Sequence, residues 1–233
     1  MMKLYLIRHG DPDYENDTIT ETGHKEAQAL AKRMAKEGIN KIYCSPLGRA
    51  RATMQYTADL MNITPKIENW TAEIGLHVTM EPWGKVHIAD VPGEIIHGPE
   101  IHTHENWNSI SPFDHPELAT ATETIMRESD GFLKRLGYER DGGRFSPIRP
   151  TKDKVAIFCH SAFGLFWLSY LLGIPPTLMW SGFWPAPTSV SVVLFEERSE
   201  QWATPRCLAF GDTSHLYEAG LPQSTMGLKA NLD

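Results

Sequence analysis

The 233-residue chain is 41% hydrophobic, enough for a buried core and too apolar for a disordered protein. Its formal net charge is −7 with no block of Lys and Arg, which argues against nucleic acid or an anionic membrane as partner. No apolar run reaches membrane-span length, the run after Lys3 stops at Arg8, and Cys44, Cys159 and Cys207 form no Cys-x-x-Cys pair, so a cytoplasmic protein with reduced thiols is expected.

Lys3 to Arg8 is a short apolar run, long enough only for a buried strand, and Gly10 and Pro12 follow it as turn residues. After a polar, turn-rich stretch over 11–19, Ala27, Leu30, Ala31, Met34 and Ala35 mark a helical face that Gly38 should end. Lys41–Cys44 reads as a second strand. Ser45-Pro46 reads as a helix opening, with Ser45 as N-cap and Pro46 at the first helical position. Residues 66–68 suit a short edge strand.

Between about 75 and 150 the composition changes. Six of the ten histidines (His77, His87, His97, His102, His104, His115) fall here, with Trp83, Trp107 and many prolines and glycines. Thr120-x-x-Glu123 predicts a capped helix with Ile125, Met126, Phe132, Leu133 and Leu136 on its apolar face. Val155–Cys159 is a buried strand, 161–172 an almost wholly apolar helix stopped by Gly173 and Pro175, and 189–195 and 203–210 a closing pair of strands. The alternation predicts one α/β domain over 1–233, a three-layer α/β/α sandwich around a mostly parallel sheet. The 75–150 segment is expected as an inserted cap over the sheet's C-terminal edge.

The polar residues at the strand ends suit phosphate chemistry. Arg8 and His9 close the first strand, Arg49 falls in the first turn after the second, and His160 ends a later strand just before a helix N-terminus. Arginine forks give bidentate, charge-assisted bonds to phosphoryl oxygens, and free N–H groups of a helix N-terminus favour an anion. A neutral imidazole beside fixed positive charge is a competent nucleophile for phosphorus.

With these motifs the chain resembles the histidine phosphatase superfamily, which includes cofactor-dependent phosphoglycerate mutase and many small-molecule phosphatases. The matches run in family order: Leu6-Ile7-Arg8-His9-Gly10, Ile19-Thr20-x-x-Gly23-x-x-x-Ala27, Ser45-Pro46-Leu47-x-Arg49-Ala50-x-x-Thr53, Glu73, the strand ending at His160, and Asp212-Thr213-Ser214-His215-Leu216. The resemblance implies a phosphohistidine mechanism without metal or cofactor. His9 attacks phosphorus, Arg8, Arg49 and His160 hold the phosphoryl oxygens, and Glu73 protonates the leaving oxygen and then activates water. It extends phosphate binding to Asn16, one position out of the family spacing, and to Ser161. A small phosphorylated metabolite is the implied partner, and self-association stays open.

Departures bear on the branch. Ser161-Ala162-Phe163 replaces the Gly-Asn or Gly-Gly of mutase-type members, and Glu73-Ile74-Gly75-Leu76-His77 replaces Glu-Arg-His-Tyr-Gly. Asp11-Pro12-Asp13 stands where Glu-Thr or Glu-Ser is commoner, so Asp11 or Asp13 competes with Glu73 for the acid role. These differences favour a phosphomonoesterase over a phosphoglycerate mutase-like transferase. A non-catalytic module that binds phosphorylated ligands, and a metal hydrolase built on His97, His102 and His104, each fit part of the pattern. Cys44 and Cys159 flank site motifs and are expected as buried, inert thiols.

Overall fold

The computed structural model describes residues 1–228. Its centre is an eight-stranded sheet, led by β1 (Lys3–Arg8). A small hairpin of β2 (Pro12–Asp13) and β3 (Thr18–Ile19) follows, then α1 (Glu21–Glu37), β4 (Lys41–Cys44), α2 (Gly48–Met61) and β5 (Lys66–Ile67). Next come the hairpin β6 (His77–Met80) and β7 (Gly84–His87), a single turn α3 (Gly93–Ile96), and the long α4 (Pro116–Arg135). Strands β8 (Glu139–Asp141), β9 (Arg144–Ser146) and β10 (Lys154–Cys159) precede α5 (Ser161–Leu172) and α6 (Pro176–Gly182). The described chain closes with β11 (Val190–Glu197), β12 (Ala203–Asp212) and α7 (Ser214–Glu218).

The sheet order is β5-β4-β10-β1-β11-β12-β9-β8. The pairs β5–β4, β4–β10 and β10–β1 are parallel, and the rest antiparallel. Strands β5, β4, β10, β1, β12 and β8 therefore point one way, and β11 and β9 oppose them. The expected α/β sandwich with a mostly parallel sheet is what the chain forms.

Alternation along the central strands divides the core into two layers. Tyr5, Ile7, Ala156 and Phe158 face Leu30, Met34, Met54 and Ala58 of α1 and α2. Leu4, Leu6, Val155 and Ile157 face Phe132, Phe163, Phe166 and Trp167 of α4 and α5. Helix α5 is apolar on all sides because the sheet covers one side and α4 and α6 the others; Trp167 donates its indole N–H to Ser129 Oγ at 2.7 Å. The predicted stop at Gly38 is a left-handed cap (φ 73°) whose N–H bonds the carbonyls of Met34 and Ala35.

Two predicted caps are not caps. Helix α2 starts at Gly48, and the Ser45 hydroxyl bonds His160 instead. Helix α4 starts at Pro116 with His115 accepting the N–H of Glu117, while Thr120 lies inside it and bonds the Pro116 carbonyl. In the 75–150 segment, α4 and the strands β8 and β9 belong to the core layers and sheet edge. The β6–β7 hairpin and the turn after it border the cavity described next.

Candidate active site

Strands β1 and β10 are adjacent, parallel and in register, with Arg8 opposite Cys159. The next residue on each, His9 and His160, leaves the sheet at the same level, and their rings lie 5.2 Å apart between centroids. This is the C-terminal end of the parallel strands, where α/β sheets open a ligand crevice.

His9 is 2% exposed. Its Nδ1 lies 2.8 Å from the Gly10 carbonyl, which only accepts, so Nδ1 carries the proton and the Nε2 lone pair is free. Burial and then the Arg8 charge push its pKa down to about 3, which keeps the ring neutral at any ordinary pH. His160 is equally buried, and burial, followed by the neighbouring His9 ring and the Arg49 and Arg8 charges, holds its pKa well below the usual imidazole value. Its Nε2 meets Ser45 Oγ at 2.7 Å, and its buried Nδ1 has no protein partner among the described residues.

The two arginines are anchored by one edge each. Arg8 donates to the carbonyls of Pro185 (2.8 Å) and Met226 (3.1 Å). Arg49, in the first turn of α2, donates to Asp17 Oδ1 at 2.6 Å and lies 5.5 Å from the Tyr14 ring. The other Asp17 oxygen accepts the Gly48 N–H at 2.6 Å, so this carboxylate caps α2 and aims Arg49 together. Gly48 permits the approach: a Cβ there would lie 2.1 Å from the Asp17 carbonyl oxygen. Thr53 Oγ1 accepts the Gly10 N–H at 2.9 Å and so ties α2 to the loop after His9.

Glu73 lines the same cavity and is bound to the start of α5. Its oxygens accept the N–H groups of Ala162 (3.2 Å), Phe163 (2.8 Å) and Ile74 (3.0 Å). Two of the helix N–H groups expected to face an anion are therefore taken by Glu73. Ser161 does line the cavity, with Arg8, Arg49, Tyr14 and Leu47.

Asn16 is not brought to this cavity; it sits in an exposed turn, its amide donating to Asp13 at 2.8 Å. Asp13 is thereby occupied outside the cavity. Asp11 accepts the hydroxyls of Thr20 (2.7 Å) and Ser224 (2.5 Å) and does not line the cavity either. Cys44 and Cys159 are buried, and burial pushes the Cys44 thiol up to about 12. His102 is buried edge-on to Phe113, 5.7 Å between centroids, and His97 bonds Ser181.

Residues that motif reading passed over complete the site. Asp17 and Tyr14 stand beside Arg49, and Ser45 beside His160. The Asp212–His215 motif acts from behind: Asp212 pairs with Arg33 at 2.8 Å, and His215 Nε2 meets Thr188 Oγ1 at 3.2 Å. Thr188 in turn donates its backbone N–H to the His9 carbonyl at 3.1 Å. Only the positive φ of Asp17 (46°), in an Asn16-Asp17 turn, leaves a local signature.

Residues 4–85 match the model of the histidine phosphatase superfamily (branch 1). A probable phosphoglycerate mutase GpmB from Serratia proteamaculans is 32% identical over 68 residues, covering 25% of this chain and 32% of the relative. The matched stretch thus spans about a third of that relative's length. Among solved structures, phosphoserine phosphatase of Entamoeba histolytica in complex with phosphoserine aligns with a TM-score of 0.61 and 22% identity, over 93% of this chain and all of that one. The alpha-ribazole phosphatase of Shigella flexneri aligns with a TM-score of 0.56 and 18% identity, over 91% of this chain and 97% of that one. At these identities the structural likeness speaks for the fold. The pattern of that superfamily thus runs over β1 to β7, and the fold over the rest of the described chain is like that of these solved phosphatases.

Proposed function

We propose that the protein is a phosphatase that hydrolyses a small phosphomonoester through a phosphohistidine on His9, without a metal ion. The observation that carries this reading is the state of His9. The ring is neutral, its proton is fixed on Nδ1 by the Gly10 carbonyl, and its Nε2 lone pair stands among Arg8, Arg49 and His160. That is the arrangement an in-line attack on phosphorus needs.

In the first step Nε2 of His9 forms a bond to phosphorus as the ester P–O bond breaks, and Glu73 delivers its proton to the leaving oxygen. In the second, Glu73 takes a proton from water as the oxygen attacks phosphorus; the P–N bond breaks and inorganic phosphate leaves. Arg8 and Arg49 neutralise charge on the equatorial oxygens in both steps. Glu73 is favoured over Asp11 and Asp13 because it alone of the three borders the cavity. The β6–β7 hairpin and the turn to Asp90, on the same border, serve as the cap over the site.

Hydrolysis of para-nitrophenyl phosphate with chelator present is the test, for wild type and His9→Ala. Turnover in the wild type that persists under chelation and disappears in His9→Ala, with a 32P-labelled histidine trapped by rapid mixing, is the expected result. A fully active His9→Ala protein sinks the mechanism.

A further inference from the structure

The cavity that Arg8, Arg49 and Glu73 border has a volume of about 580 Å³, a size that holds a drug-sized organic group and that a phosphoryl on a short polar chain leaves largely empty. Its outer wall is apolar and largely aromatic: Ala162 and Leu165 of α5, Trp180 of α6, then Phe183, Trp184 and Met226. Phe183 is 40% exposed and is held edge-on to Phe210, 5.1 Å between ring centroids, so a rigid aromatic face stands at the rim with water on it.

The charges in the cavity are distributed unevenly. Its only described Lys or Arg residues are Arg8 and Arg49, both at the phosphoryl end. The other fully charged side chains on its border are Glu73 and Asp90. His87 offers no spare cation, because its Nδ1 accepts the Ala89 N–H (3.2 Å) and its Nε2 donates to the Ile74 carbonyl (2.6 Å). His77 is exposed and gives its Nδ1 proton to the Gly75 carbonyl at 3.1 Å. A carboxylate or second phosphate on the leaving group would lose water, meet no fixed cation and approach Asp90. An aryl group would exchange that water for indole and phenyl faces.

We infer that the site takes phosphomonoesters of uncharged aryl or arylalkyl alcohols and disfavours phosphate esters that carry a second anion. The inference rests on the phosphatase reading for the role of Arg8 and Arg49 at the phosphoryl group.

Equilibrium binding tests it apart from turnover. Calorimetry on the full chain compares three non-hydrolysable phosphonates: 2-phenylethylphosphonate, ethylphosphonate and 3-phosphonopropionate. The phenyl compound should bind at least about tenfold more tightly than the ethyl one, by the increment apolar pockets give such groups, and the carboxyl compound more weakly than either. Phe183→Ala should shrink the phenyl-to-ethyl ratio several-fold, and Asp90→Asn should raise the affinity of the carboxyl compound relative to the ethyl one. Binding of 3-phosphonopropionate as tight as that of the phenyl compound overturns the inference, as does failure of all three to bind. The expected order of binding in a protein that hydrolyses no phosphomonoester would overturn the phosphatase reading and leave the ligand class standing.

Discussion

His9, His160 and His215 are buried as neutral imidazoles, and their pKa values in the folded protein fall below the free value of 6.5, to about 3 for His9 and about 4 for His215. For His215 the cause is burial, then the Arg33 charge. In the unfolded chain these rings take up protons near pH 6.5, so their contribution to stability is complete above that pH. It is lost as the pH falls toward the folded values, at up to about 1.4 kcal/mol per pH unit for each ring. Glu26 acts in the opposite sense. Burial raises its carboxyl from 4.5 to about 7, so its contribution is present below pH 4.5 and is lost as the pH rises through 7. Because three rings oppose one carboxyl, the urea midpoint should fall between pH 7 and pH 5. It should fall more steeply in Glu26→Gln, which removes the opposing group. A midpoint that rises on acidification would show that the histidines are not held neutral.

At the scale of elements, Asp17 joins the β2–β3 hairpin loop to α2 by two bonds from one carboxylate. Asp17→Ala should cost about 1 kcal/mol through the lost helix cap and weaken inhibition by inorganic phosphate, because Arg49 loses its anchor. Asp17→Asn keeps an acceptor for Gly48 but not the charge beside Arg49, so it should recover thermal stability and not phosphate affinity. Equal recovery of both would mean that Arg49 is placed by the helix alone. The contrast between Asp17 and Arg8 also shows which parts of the site are legible in sequence. Arg8, His9 and His160 sit at the ends of apolar strands, and strand length and turn residues locate them within a few positions. The Asp17–Arg49 pair is made between residues 32 positions apart, and the Ser45–His160 pair between residues 115 apart. No local pattern announces either. Ser45 fits the local rule for an N-cap, and Thr120 with Glu123 fits the rule for a capping box, yet other residues take both roles: Asp17 caps α2, and His115 caps α4 five residues earlier than Thr120 would. Asn16 is held away from the cavity by a local contact instead, since Asp13 engages it in a turn.

For the whole molecule, β1 is central because strands from the far end of the chain flank it. β10 lies on one side and β11 on the other, and the α/β layering that strand–helix alternation predicts follows from that placement. The site reaches further along the chain: Arg8 and the Met226 carbonyl it binds are 218 positions apart. Residues 4–85, the stretch that carries the family pattern, hold Arg8, His9, Arg49 and Glu73 but neither neighbour of β1. A fragment of residues 1–85 should therefore show no cooperative unfolding transition and no calorimetric heat with phosphate. A fragment that folded and bound phosphate would show that β1 does not need its flanking strands. The same arrangement sets a timetable during translation. His9 is made well before the strands that come to lie on either side of β1, so β1 stays unpaired until β10 and β11 have been made. The growing chain therefore carries His9 without His160 beside it until β10 is complete, and Arg8 without its Met226 acceptor for longer still.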